Sequence, residues 1–120
     1  MLFNNRYMRT LEAASGAAWL RQNVIAHNIA NVDTPNYRAK NVVFRETLTR
    51  AMGPDGQRRS GFDVRVVTPD QTIIRPDRNN VDLDTESLNL YRTYVQHSMI
   101  LDKIRGQFNN IQYVLNNLPN

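Results

Sequence analysis

Two histidines, His27 and His97, and one alternating acidic run, Asp82-Leu83-Asp84-Thr85-Glu86, are the side chains in this chain best suited to moving protons. Histidine titrates near neutrality and serves as a general base, and paired carboxylates can divide acid and base roles. Neither arrangement is complete. The histidines fall on different helical segments, and the acids fall where a helix begins, so capping and the helix dipole account for them. Ser15 precedes Gly16 without a nucleophile elbow around it. The five glycines are isolated and none precedes a Lys-Ser/Thr pair, and there is no cysteine and no His-x-x-x-His pair. The expectation is a chain with no catalytic residues, no metal site and no cofactor.

The elements that would position any such groups are two helices with a different kind of segment between them. From about Asn5 to Ala30, Leu11, Ala14, Ala18, Ile25 and Val32 follow three-and-four spacing, with Arg21 and Asn28 at intervening steps. Four alanines and Gly16 between Ala13 and Ala18 make this helix slim, which lets a partner backbone approach closely. Toward the C-terminus, Leu90, Tyr94, His97, Leu101, Ile104, Phe108, Ile111, Leu115 and Leu118 alternate by four and three, a heptad pattern. Asp82 is placed to cap that helix, which runs from roughly Leu83 to Asn117 for about 50 Å. Val95, Ile100 and Val114 are assigned to its opposite flank. A rod of this kind has no core of its own, so its stripe must face the first helix, other copies, or both.

The middle reads differently. Asn41 to Leu48 suits a short strand or a helical turn, and Ala51 to Gly61 reads as turn and loop. Phe62 to Val67 alternates as a strand, and Gln71 to Arg75 is a candidate second strand after the Thr68-Pro69-Asp70 turn. The expected fold is therefore mainly α, with terminal helices paired as an antiparallel coiled coil and a loop-rich middle able to hold a small β-hairpin. Its parts are an N-terminal helix over 1–34, a middle segment over 35–81 and a C-terminal helix over 82–120.

Charge and hydropathy narrow the partners. The net charge of +4 equals the surplus between Arg38 and Arg65, where seven basic residues face three acids. No aromatic residues are interleaved there and no recognition-helix or zinc-finger spacing occurs, so specific nucleic-acid binding is not expected. No run approaches the length of a membrane span, and the first residues lack the basic and apolar regions of a cleavable secretory signal.

One stretch carries more. Asn28-Ile29-Ala30-Asn31 runs into Val32-Asp33-Thr34-Pro35-Asn36-Tyr37 and then Arg38-Ala39-Lys40. Pro35 disfavours helix at Thr34, Asn28 and Asn31 can compete for backbone groups in the last turns, and Tyr37 can bury its ring with its hydroxyl partnered. This stretch, with Asn41 to Phe44 after it, resembles the N-terminal signature of the flagellar rod and hook family. The short length and the block Asn79 to Glu86 are most similar to the proximal rod members, B type first and C type as rival. That family commonly has glycine where this chain has Asn36, the non-glycine type most tolerant of positive φ.

The resemblance implies a structural subunit whose terminal helices form a coiled coil that stacks around an export channel. The implied partners are other copies, other flagellar rod proteins, the rod-base adaptor, the inner-membrane ring and the export gate. The implied location is the periplasmic rod of the flagellum basal body, reached by export without a cleaved signal. A helical adaptor or chaperone unrelated to flagella is the alternative from a different class.

Overall fold

The structure is a computed structural model that describes residues 6–49, 59–69 and 81–119. Helix α1 spans Arg6–Ala30, strand β1 Asn41–Thr49, strand β2 Arg59–Val67 and helix α2 Leu83–Asn116. The terminal helices pack on each other, and α1 also touches β1. Their direction is antiparallel: Ser15 meets His97 and, thirteen residues later on α1, Asn28 meets Glu86.

Helix α2 starts on Asp82, which is extended at φ −102° and ψ 109°, and whose Oδ1 accepts from the amides of Asp84 and Thr85 at 3.1 and 3.3 Å. Thr85 Oγ1 donates to the second oxygen at 3.1 Å, so both carboxylate oxygens of the cap are used. No described residue of α2 is glycine or proline except Gly106, so nothing interrupts 34 residues of helix. At the other end Asn117 donates its amide to the carbonyls of Tyr113 and Val114 and stops the helix short of Pro119.

The strands form a two-stranded antiparallel sheet, with Asn41 opposite Val67 and Thr49 opposite Arg59. The expected small hairpin is present, with β1 as the partner of β2; the 71–75 segment offered as a second strand lies outside the described residues, and Arg59 to Gly61 belong to a strand rather than the loop. Cross-strand chemistry gives the reason: Val42 faces Val66 and Phe44 faces Val64 on one side of the sheet. Phe44 and Phe62 stack diagonally on that side, with centroids 5.6 Å apart and planes 6° from parallel. The same side meets the helices, where Val42 is buried. The far side is solvated and carries an Arg65–Asp63 ion pair of 2.8 Å.

The core is small. Met8, Leu11, Ala17, Ala18, Ile25, Val42 and Val81 are its buried apolar residues. The molecule measures 71 × 37 × 14 Å, with a radius of gyration of 19.6 Å against about 14 Å for a compact chain of this length. It is one layer thick. A layer with an apolar face ordinarily buries it against a second layer, and this one has no second layer.

Candidate functional site

The densest polar structure sits where α1 ends. Asn28 is 1% exposed and uses its whole side chain. Its Oδ1 accepts from the Lys40 amide and the Tyr37 hydroxyl, both at 2.9 Å. Its Nδ2 donates to the Lys40 carbonyl at 2.8 Å and to Glu86 Oε2 at 3.2 Å. A buried amide left unpaired would cost on the order of 1–3 kcal/mol, and here no polar atom of it is left over. The partners also fix which end is oxygen, since a flipped amide would set donors against the Lys40 amide. One residue thus ties the end of α1, the entry to β1 and the first turn of α2.

The chain reaches that arrangement through a tight reversal. Past Ala30 the bonding shortens, with Asn31 N–H directed to the His27 and Asn28 carbonyls and Val32 N–H to Ile29. Asn31 Nδ2 also donates to the His27 carbonyl at 2.8 Å, and Thr34 Oγ1 donates to Asn31 Oδ1 at 3.1 Å. Thr34 to Tyr37 then form a turn closed by Tyr37 N–H to the Thr34 carbonyl at 3.3 Å. Pro35 occupies its second position and Asn36, at φ 62°, its third, the arrangement of a type II turn. Asn36 is the sole non-glycine residue with positive φ among those described. The turn delivers Tyr37 back onto α1, its ring 5.8 Å from that of His27. Because the single hydroxyl proton goes to Asn28, the 2.9 Å contact with His27 Nδ1 places the imidazole proton on Nδ1.

Electrostatics at the junction follow from its partial burial. Loss of water raises the Glu86 carboxyl above its ordinary range, against the lowering effect of the Asn28 hydrogen bond, with the Asp82 charge adding a smaller push upward. Burial, and then the Glu86 charge, raise the Tyr37 hydroxyl. Asp82 is held below the usual carboxylate range by its bonds to Thr85, backbone first and side chain second. Sequence reasoning treated Glu86 as a dipole-matching acid. Its contact with Asn28 had no local signal, because the two lie 58 residues apart.

The heptad residues of α2 divide by burial. Leu90, His97, Ile104 and Ile111 are half-buried on the side of α1, with Thr93 fully buried between them. Ile100 shares that side and lines a groove with Leu11, Ala14 and Ala18, so its assignment to the opposite flank is corrected. The physical reason is that α2 presents its Thr93–Ile100 row as well as its Leu90–Ile104 row to a partner of small residues. Tyr94, Leu101, Phe108 and Leu115 flank that side, at 63, 44, 48 and 54% exposure. On α1, Leu11, Ala18 and Ile25 are buried and Ala14 is half-buried. In the turn, Ala30, Thr34, Pro35 and Asn36 are exposed and Asn31 and Tyr37 half-buried. Trp19, the chain's one tryptophan, stands 60% exposed on α1, a residue off the apolar stripe that periodicity passed over.

Two grooves flank the helix pair. The larger, ≈ 570 Å³, mixes Arg21, Lys40 and Arg92 with Asp82 and Glu86, so it presents no field of one sign to an anion. The smaller, ≈ 330 Å³, is apolar and lined by Leu11, Ala14, Phe44, Met99 and Ile100. Among the described residues no three His, Cys, Asp or Glu side chains converge as metal ligands, and no helix is long and apolar enough to cross a membrane.

A saturated polar knot at one end of two long helices, with a row of exposed apolar side chains along the second, has the character of a helical structural subunit. Comparison with known proteins carries the class to a family. The family described as Flagella basal body rod protein matches residues 8–38. The chain is 32% identical over 118 residues to the flagellar basal body rod protein FlgB of Bacillus subtilis, covering 90% of this chain and 92% of that one. It is 34% identical to the protein of the same name from Borrelia hermsii, over 80% of this chain and 85% of the other. With the Escherichia coli protein it shares 29% identity over 79 and 82% of the two chains. The chain belongs to the flagellar basal body rod family, as a FlgB-like member.

Proposed function

We propose that this chain is a subunit of the proximal rod, polymerising through its terminal helices to join the inner-membrane ring and export gate to the axial rod. In this reading it is an export substrate that reaches the periplasm. There it packs against other copies, other rod proteins and a rod-base adaptor. The observation that carries the reading is the open face of α2. The chain exposes 9147 Å², where a compact protein of its mass exposes about 6,700 Å². The excess is the order of surface that obligate interfaces bury. Most of the large exposed apolar side chains lie along α2, with Tyr94, Leu101 and Leu115 in line. Heterologous contacts between such faces need not close after two subunits, which is what a tubular wall requires.

The motif of residues 28–37 has a supporting role in this reading. It turns the chain out of the helical layer and returns it at a fixed angle, keeping the hairpin clear of the α2 face. Electron microscopy of the isolated basal body tests the whole proposal. The expected result is few copies in a tubular array, with α1 and α2 near-parallel to the axis and the hairpin outside them. A closed symmetric dimer as the sole native assembly overturns it. Strong amide protection along all of α2 in a verified monomer would favour a self-sufficient adaptor instead.

A further inference from the structure

The middle of the seam between α1 and α2 is poorly equipped to choose its own register. There α1 contributes Ala14, Ala17 and Ala18, side chains of one size, with the larger Met8, Leu11 and Ile25 toward its ends. On α2 its aliphatic residues return at heptad spacing, at Leu90, Ile104 and Ile111. A slide of one heptad sets methyl groups against aliphatic chains again. At the alanines shape discriminates weakly among these pairings, and in coiled coils a polar seam residue can fix register. Polar contacts cross this seam from Asn28 Nδ2 to Glu86 Oε2 at 3.2 Å and between Ser15 Oγ and His97 Nε2 at 3.3 Å.

We propose that Glu86 is the residue that sets the register in which α2 docks on α1, with Ser15–His97 as a second pin. Three of the four hydrogen bonds of Asn28 are to Tyr37 and Lys40, close in sequence, so they hold it in place without help from α2. The fourth is the one α2 must complete. Sliding one heptad in one direction brings Thr93 opposite Asn28, and its short neutral hydroxyl, turned to the Asn89 carbonyl at 2.8 Å, is a weaker acceptor than the longer, charged Glu86 carboxylate. Sliding the other way carries Asn28 beyond the Asp82 cap, opposite no residue of α2 at all. Ser15 would meet Ile104 or Leu90 in the two cases. One slip exchanges a charged acceptor for a hydroxyl and the other leaves a proton of Asn28, 1% exposed, with no acceptor from α2, and the native pairing alone supplies a carboxylate. The lock acts within one chain. It decides which residues of α2 are turned toward α1 and which are left outward.

Disulfide trapping in the full-length chain reads the register directly. Ala14→Cys with Ile100→Cys reports the native pairing, since both residues line one groove. Ala14→Cys with Thr93→Cys or with Gln107→Cys reports the two one-heptad slips. With Glu86 intact, oxidation should link the Ile100 pair and leave the others open. Glu86→Ala should lower the ratio of native to slipped crosslinks about tenfold, the ratio equivalent to one hydrogen bond to a charged group. Glu86→Gln, whose carbonyl accepts the same bond, should keep the native ratio. Three results overturn the assignment. One is equal crosslinking of all three pairs with Glu86 intact. Another is a glutamine variant that slips as alanine does. The last is an alanine variant that loses every crosslink together, for then Glu86 holds the fold and does not choose among registers.

Discussion

At the junction, the first turn of α2 meets a buried asparagine whose every polar atom is matched; along the rest of α2, large apolar side chains stand in water. The same helix carries both conditions, about 50 Å apart at its extremes. At the first end the chain supplies its own partners from α1, the turn and β1. At the second, α2 runs on past the start of α1: with Ser15 opposite His97, Arg6 falls near Gln107, and Tyr113, Val114 and Leu115 extend beyond it. One region is finished by folding. In the proposed assembly the other is finished by association, and the contrast then separates residues that hold the subunit from residues that hold the assembly.

The widest separation should come from the free face. Leu101→Asp or Leu115→Asp should abolish incorporation into basal bodies and motility in soft agar, while the Ala14–Ile100 crosslink forms as before. Equal loss of that crosslink would place these residues in the intrachain pair and erase the contrast. In the isolated chain Phe108→Ala should cost only about 1 kcal/mol, since half the ring is already in water, compared with about 3–5 kcal/mol at a fully buried site.

The opposite signature belongs to Asn28. Asn28→Ala orphans a buried amide, a carbonyl and a hydroxyl together, and should destabilise the isolated chain by roughly 3 kcal/mol or more. Denaturation followed by circular dichroism measures it. A loss within the error of the parent would mean that water replaces the side chain and that the knot is not sealed.

Smaller still is the backbone at Asn36. A β-branched residue is strained at φ 62°, so Asn36→Val should cost about 1–2 kcal/mol. Asn36→Gly should be neutral or slightly stabilising, because glycine adopts this conformation freely. Matched thermal melts of the two variants would sharpen the role of the turn.

The least effect expected is with pH. Glu86 holds its proton more tightly folded than unfolded, so its contribution favours the fold below the ordinary glutamate range. That contribution is lost as pH rises through its elevated folded value. Asp82 runs the other way: its stabilisation is present above the ordinary aspartate range and is lost as pH falls through its lowered folded value. Against the parent, Glu86→Gln should therefore gain in relative melting temperature as pH rises across the Glu86 window. A flat difference would mean that Glu86 is solvated alike in both states.

How much of this was legible beforehand depended on the range of the signal. Both helices follow from spacing and from the Asp82 cap, which are local properties, and the positive φ at Asn36 follows from the turn chemistry around Pro35. The partner of β2 did not, because two short alternating segments lie within reach of it and periodicity cannot rank them. Nor did the division of the α2 stripe. A heptad pattern gives the apolar rows but not which of them an alanine-lined partner will take, so Ile100 turned inward and Tyr94, Leu101 and Phe108 outward. Asn28 illustrates the limit well. Its position in a motif was evident, but its burial arises from Lys40 and Glu86 together, and nothing within a few residues of it encodes that meeting. Trp19 was overlooked because it belongs to no stripe.

The 14 Å thickness against a 71 Å length has a mechanical side. Resistance of a plate to bending falls with the cube of its thickness, whereas resistance to stretch falls only in proportion. A single layer of helix and hairpin is accordingly stiff along the helix axes, where each turn is spanned by hydrogen bonds, and pliant across them. Load carried lengthwise meets a covalent and hydrogen-bonded column. Curvature across the width meets side-chain contacts that can shift, so the radius to which such a plate bends is dictated by what lies against it and not by its own fold.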